Sequence, residues 1–68
     1  MTIREYAKSV GFQIVGKLTR RPEWEYTLDG FTGETKHSGY KHFSDDCGNE
    51  YVTGGGSVCI VTADGDVI

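Results

Sequence analysis

The spacing of the apolar residues changes at Gly11, and this change limits the folds open to the chain. Before Gly11, the apolar residues Ile3, Tyr6, Ala7 and Val10 follow the i, i+3, i+4, i+7 pattern of an amphipathic helix. After Gly11, apolar and polar residues alternate with the period of two that is typical of a half-buried β-strand. The sequence therefore predicts one helix followed by strands.

Both ends of the predicted helix carry capping signals. Thr2 is a good N-cap, and Glu5 lies three residues later, as a capping box requires. Gly11 supplies the left-handed residue that ends many helices, with Phe12 placed to fold back on the last turn. We expect a helix over residues 3 to 10, which at two turns is too short to persist unless it docks on the rest of the chain.

The rest of the chain is predicted to form strands that are separated by turn residues. The predicted strands cover residues 12–19, 24–28, 40–44, 50–53 and 57–62, with 67–68 as a short edge segment. Pro22 separates the first two because proline cannot donate to a strand ladder. Residues 45–49, with the sequence DDCGN, indicate a hairpin turn. Residues 31–39 indicate either a loop or an irregular edge.

These elements predict the α+β class, with a short N-terminal helix packed on a three- to five-stranded antiparallel sheet. Residues 1–68 are expected to form a single small domain, because no linker or internal repeat divides them. The expected core contains Ile3, Tyr6, Val10, Phe12, Ile14, Leu18, Trp24, Tyr26, Val58 and Ile60, with Cys59 as a further candidate.

The length of 68 residues bears on function as well as on folding. A chain of this size buries only about 60% of the surface that its unfolded form exposes, so its core is small. It has little room for a deep pocket with supporting residues around it. The sequence therefore favours a protein that is not an enzyme.

Charge is distributed unevenly along the chain, whose net charge is -3. Residues 1–22 sum to +4 and residues 23–68 to -7, which indicates either a basic segment lying on an acidic sheet or two faces of opposite sign. No apolar run approaches the ~20 residues of a membrane span, so we expect no membrane contact and a cytoplasmic location. The two cysteines are then expected to be free thiols.

Four residues of the types that bind zinc occur with the spacing H-x4-H-x4-C-x11-C, namely His37, His42, Cys47 and Cys59. A zinc-stabilised domain is therefore one alternative. Zinc sequences, however, usually contain closely spaced pairs that preset two ligands on one turn, and this chain has none. We expect no metal and no cofactor.

Nucleophilic catalysis by Cys47 with His37 or His42 is the nearest approach to an active site. The neighbouring Asp45 and Asp46 should oppose formation of the thiolate. In an open turn these carboxylates are expected to be solvated, with no reason for a shifted pKa. We therefore predict no catalytic residue.

Nucleic-acid binding is the main alternative function. The stretch EYAKSVGF resembles the first helix and turn of helix-turn-helix proteins, which implies a recognition helix after Phe12. The following segment contains adjacent β-branched Ile14 and Val15, then Gly16 and Pro22, so a strand is the better prediction. In this alternative the phosphate contacts come from Arg4, Lys8, Lys17, Arg20 and Arg21.

We therefore predict a non-enzymatic interaction module that binds another protein or a second copy of itself. Aromatic and arginine side chains often anchor interfaces, so Trp24, Arg20 and Arg21 are the predicted contact residues. The stretches GNEY and TADGDVI are similar to parts of small bacterial and phage-encoded domains. That resemblance implies a bacterial, phage or mobile-element context and no particular activity.

Overall fold

The computed structural model describes residues 1–68 and belongs to the α+β class. It contains one α-helix, one short 3-10 helix and six strands. In chain order these are α1 (Ile3–Ser9), β1 (Thr19–Arg20), the 3-10 helix (Pro22–Glu25), β2 (Tyr26–Leu28), β3 (Thr35–His37), β4 (Lys41–Ser44), β5 (Glu50–Gly54) and β6 (Ser57–Val61).

The strands form two separate antiparallel sheets. The main sheet has the order β1-β4-β5-β6, and β2 pairs with β3 in a two-stranded hairpin. Strand β5 lies between β4 and β6. Its Tyr51 pairs with Phe43 on one side and with Ile60 on the other, so these three side chains share one face of the sheet. Helix α1 packs on this face through Ile3 and Ala7, and the buried core lies between them.

The predicted helix is confirmed, although it ends one residue earlier than expected. The hydroxyl of Thr2 accepts a hydrogen bond from the backbone N–H of Glu5, and the Glu5 carboxylate accepts one from the N–H of Thr2. At the other end, the N–H groups of Gly11 and Phe12 donate to the carbonyls of Lys8 and Ala7. These two hydrogen bonds form a Schellman motif, which satisfies carbonyl groups that have no partner inside the helix.

The left-handed backbone of Gly11 leads to a prediction about stability. Gly11 has a φ of 74°, and an alanine side chain there would meet no neighbour but would still strain the backbone. We expect Gly11→Ala to lower the free energy of unfolding by about 1 kcal/mol, measured by urea titration. The control is Gly30→Ala, since Gly30 has a negative φ and equally open surroundings. A comparable loss in both variants would contradict the conformational explanation.

The prediction of a strand over residues 12–19 is wrong except at Thr19, its last residue. Only Thr19–Arg20 pairs with β4, and the preceding residues cross the protein as irregular chain. Their backbone bonds to the turn after β4 instead of to a strand: the N–H of Asp46 donates to the carbonyl of Val15. Gly16, with a φ of 71°, lets the chain turn where any side chain would collide with that of Asp46.

The prediction for residues 24–28 is correct only in its second half. Pro22 begins a 3-10 helix that includes Trp24, because proline fits the first turn of a helix and has no N–H to lose. Strand β2 then begins at Tyr26. Segment 31–39, for which the sequence left a loop and an irregular edge open, contains β3. This strand pairs with β2 in a register that places His37 opposite Tyr26 and Thr35 opposite Leu28.

The core differs from the expected one in composition. Ile3 and Ile60 are buried as predicted, and Tyr6, Phe12, Ile14, Leu18 and Val58 pack partly buried around them. Ala7 and Tyr51 are buried although they were not predicted, whereas Val10, Trp24 and Tyr26 are exposed. Tyr26 belongs to β2, which pairs with β3 in a separate sheet and not with the main one.

No helix in the structure has the length and apolar character needed to cross a lipid bilayer.

Candidate functional site

Strands β4 and β5 form a hairpin whose turn is the DDCGN stretch, as predicted. Phe43 pairs with Tyr51 and Ser44 with Glu50, so the turn consists of residues 45–49. The turn is not open, however. Asp45 is only 6% exposed and accepts the N–H of Val15, and Asn49 is only 8% exposed and accepts the N–H of Ala63.

Asp45 is the centre of a hydrogen-bond network that includes both ends of the turn. Its carboxylate accepts bonds from the N–H groups of Cys47 and Asn49, at 2.9 and 3.0 Å, and from the side-chain amide of Asn49 at 2.8 Å. It also accepts the Tyr51 hydroxyl at 2.7 Å and the N–H of Val15 at 3.3 Å. A single buried carboxylate therefore connects the turn to the core and to the chain after the helix.

The expectation of a solvated carboxylate with an unshifted pKa is wrong for Asp45. Burial by itself raises the pKa of Asp45. The hydrogen bonds from Asn49, Tyr51 and the backbone outweigh this effect and lower the pKa to about 2. Burial and the adjacent Asp45 carboxylate together raise the pKa of the Tyr51 hydroxyl. Asp46, in contrast, is exposed as expected.

A second buried carboxylate, Glu25, joins the β2–β3 hairpin to the main sheet. Glu25 is 2% exposed and makes a bidentate pair with Arg20, at 3.0 and 3.1 Å. Its Oε1 lies 2.8 Å from Nε2 of His37 on β3, and its Oε2 accepts the N–H of His42 on β4 at 3.4 Å. The hydrogen bonds from Arg20 and then from His37 lower the pKa of Glu25 to about 2.

The histidines occupy separate environments in the structure. Nδ1 of His37 accepts the N–H of Gly39 at 2.9 Å, so the proton is on Nε2 and is donated to Glu25. Nδ1 of His42 lies 2.8 Å from Oε1 of Glu50. Each imidazole is therefore oriented by a different carboxylate.

The four residues of the zinc alternative are not gathered into one site. His37 contacts Glu25 and His42 contacts Glu50, while Cys47 is an exposed residue of the turn and Cys59 lies in β6. No group of three or more histidine, cysteine, aspartate or glutamate side chains has an arrangement that could hold a metal ion. The zinc alternative therefore has no geometric support from these residues.

Ser38, His42 and Glu50 follow one another in space as a nucleophile, a base and an orienting carboxylate would in a catalytic triad. The Ser38 hydroxyl lies 3.5 Å from Nε2 of His42, which is a long contact. An acyl-transfer site also needs free N–H groups for the developing oxyanion. Here the N–H groups of Ser38, Gly39 and Tyr40 already donate to the Glu25 carbonyl, to His37 and to the Ser38 hydroxyl. These three N–H groups are therefore already engaged and do not form an oxyanion site.

The predicted contact residues Arg20, Arg21 and Trp24 lie at the base of the β2–β3 hairpin. Arg20 is held by Glu25, and Nε of Arg21 donates to the hydroxyl of Ser44 at 2.7 Å. The Arg21 guanidinium also lies over the Trp24 ring, 5.5 Å from its centroid. Trp24 keeps an exposed face, whereas both arginines are engaged by the fold.

The cations proposed for nucleic-acid contact fall into two groups. Arg20 and Arg21 are engaged as described above, so they are not free cations. Arg4 and Lys8 line a common cleft of about 340 Å³ beside the last turn of α1, and Lys17 is exposed. None of Arg4, Lys8 and Lys17 forms an ion pair within the chain.

The largest exposed apolar side chains outside the predicted site belong to the β2–β3 hairpin. Leu28 is 73% exposed and Phe31, at the hairpin tip, is fully exposed. The tip is ordered by Asp29, whose carboxylate accepts the N–H groups of Phe31 and Thr32 and whose backbone pairs with Glu34 and Gly33. Sequence reasoning missed Phe31, although an aromatic residue between Gly30 and Gly33 in a turn is a usable signal.

Comparison of the chain with protein-family models, with curated proteins and with solved structures finds no match. The functional proposal therefore depends on the geometry alone.

Proposed function

We propose that this protein is a non-enzymatic interaction module that binds another protein through the β2–β3 hairpin. The observation that carries the proposal is the exposure of Leu28 and Phe31 on an ordered hairpin. Exposed aromatic and aliphatic side chains on a fixed backbone are typical binding anchors, because little conformational freedom is lost when they enter a pocket. The partner is expected to offer an apolar pocket that receives Phe31.

The shape of the molecule supports this role for the hairpin. All six residues of β2 and β3 are exposed, and the molecule measures 41 Å in its longest dimension against 24 and 20 Å in the others. Glu25 holds the base of the hairpin through His37, and the carbonyl of Glu25 accepts the N–H of Ser38 at 2.7 Å. The apolar tip is therefore presented on an anchored support.

Trp24 extends the proposed surface to the base of the hairpin. Its exposed face and the Arg21 guanidinium above it form an aromatic–cation pair of the kind common at interfaces. The N–H groups of Ser38, Gly39 and Tyr40 are engaged within the fold, which supports a binding role over acyl transfer. The two free thiols, Cys47 and Cys59, are consistent with the proposed cytoplasmic location.

The test is affinity purification from the source cell with three baits: the unchanged protein, Phe31→Ala and Thr27→Ala. Binding measurements on each purified candidate partner follow. We expect one partner whose affinity falls about 30-fold in Phe31→Ala, the effect of losing one interface hot spot. The matched control is Thr27→Ala, which removes an exposed hairpin side chain that makes no hydrogen bond. If no purified partner distinguishes Phe31→Ala from Thr27→Ala, the hairpin is not the binding surface.

A further inference from the structure

A cleft between α1 and the main sheet has a cationic rim and an apolar floor. It has a volume of about 450 Å³, and its apolar lining comes from Ile3, Leu18 and Phe43. Arg4 and Lys41 stand at its edge, and neither forms an ion pair with any acidic group of the chain. Such a cleft favours an occupant that carries carboxylates next to an aliphatic side chain.

The chain itself contains a segment with this chemistry, the acidic turn formed by residues 62–68. Asp64 and Asp66 are exposed and have no cationic partner, and the adjoining Val67 is 70% exposed. Two carboxylates and an aliphatic side chain thus lie within four residues. This is the complement of a cleft with two cations at its rim and an apolar floor.

The acidic turn is already ordered for binding. The hydroxyl and the carbonyl of Thr62 accept the N–H groups of Asp66 and Gly65, and the N–H of Thr62 donates to the Asp66 carbonyl at 2.7 Å. Val67 forms a bridge with Val61, and the N–H of Ile68 donates to the carbonyl of Ile60. Little further ordering is needed when this turn meets a partner.

The acidic turn cannot fill the cleft of its own molecule. The bridge to Val61 holds it beside the edge strand β6, and the Tyr6 hydroxyl donates to the Ile68 carbonyl at 3.0 Å. The cleft is lined by Lys41 and Phe43 of β4 and by Thr53 of β5, which lie farther across the sheet. A second copy has no such restriction.

We propose that the protein associates head to tail, with the acidic turn of one copy seated in the cleft of the next. The carboxylates of Asp64 and Asp66 pair with Arg4 and Lys41, and Val67 enters the apolar floor. The two surfaces differ, so the contact is heterologous and leaves one free surface at each end of a dimer. Association therefore continues into short chains as the concentration rises.

Sedimentation equilibrium of the purified protein tests this association directly. At protein concentrations of roughly 0.1 to 1 mM, suited to a small interface, we expect the weight-average mass to exceed the monomer mass. The excess should disappear as salt rises from about 0.01 M to about 1 M, because the Debye length falls from about 30 to about 3 Å. A monomer at every concentration in low salt would overturn the proposal.

Charge reversal supplies the specific test. The variants Arg4→Glu/Lys41→Glu and Asp64→Lys/Asp66→Lys are each expected to remain monomeric, since like charges then face each other. An equimolar mixture of the two should recover the association, which also shows that both variants are folded. Failure of the mixture to associate, or association of either variant alone, would overturn the assignment of these surfaces.

A control separates this proposal from the role of the hairpin. Phe31→Ala is expected to leave self-association unchanged, because Phe31 lies on neither surface. If Phe31→Ala abolishes self-association while Asp64→Lys/Asp66→Lys does not, the copies meet through the hairpin instead. Binding of a different protein through Phe31 is measured separately and is unaffected by this outcome.

Discussion

Replacing Asp45 by alanine is expected to lower the free energy of unfolding by about 3 kcal/mol or more. The substitution leaves the Tyr51 hydroxyl, the Asn49 amide and three backbone N–H groups without their acceptor, and most of these groups are buried. A chain of this length has a total stability of roughly 3 to 10 kcal/mol. The melting temperature should therefore fall by roughly 10 to 25 °C, measured by circular dichroism.

Two further variants separate the hydrogen bonds of Asp45 from its charge and its volume. Asp45→Asn keeps the size of the side chain but replaces one accepting oxygen by an NH2 group. That group then faces hydrogen-bond donors, so a large loss of stability is still expected. Asp46→Ala removes the exposed neighbouring carboxylate and is expected to change the stability by less than about 0.5 kcal/mol. Equal effects of Asp45→Ala and Asp46→Ala would show that the network contributes nothing.

Acid is expected to destabilise the protein between about pH 4.5 and about pH 2. The pKa of Glu25 is lowered from 4.5 to about 2 by Arg20 and His37, and the network around Asp45 lowers its pKa from 3.8 to about 2. The unfolded chain therefore binds more protons than the folded one in this range. The stabilisation is complete above the unfolded pKa values and is lost as the pH falls through the folded ones.

Urea titrations at several pH values, with Glu25→Gln as the variant, measure this dependence. Glu25→Gln should lower the urea midpoint at pH 7 and flatten the fall between pH 4.5 and 2, because a carboxyl group whose pKa the fold lowers to about 2 is gone. Glu34→Gln, which removes an exposed carboxylate with no side-chain hydrogen bond, should leave the curve unchanged. A Glu25→Gln curve parallel to that of the unchanged protein would contradict the role of Glu25.

The helix was predictable because its signals are local. The capping box of Thr2 and Glu5, the apolar stripe and Gly11 all lie within eleven residues, and each acts through contacts inside that segment. The β4–β5 hairpin and β6 were predictable for a similar reason, since a turn and alternating residues define them. The antiparallel α+β class follows from these elements.

The two buried carboxylates were not predictable from the sequence. Asp45 and Asp46 are adjacent and chemically identical, yet the chain near Val15 covers only Asp45. Glu25 lies between Trp24 and Tyr26, at a position that the alternating pattern assigns to solvent, and its partners are 5, 12 and 17 positions away. No local pattern distinguishes such residues from ordinary surface charges, because the neighbours that bury them come from other segments.

The strand prediction for residues 12–19 shows how tertiary structure overrides a correct local pattern. Phe12, Ile14 and Leu18 do face the core, as their alternation predicts. Their backbone is nevertheless not paired in a sheet, because the turn after β4 takes its hydrogen bonds and Gly16 redirects the chain. Apolar periodicity reports which side chains are buried, and it does not report which backbone groups become partners.

By itself, the sequence determined the helix, the turn between β4 and β5, the α+β class and part of the core, since all of these depend on neighbouring residues. Only the tertiary structure decided that Asp45 and Glu25 hold the chain together, that His37 and His42 serve different carboxylates, and that Phe31 stands free at a hairpin tip. The physical reason is that burial and hydrogen bonding between distant segments depend on where the chain returns in space.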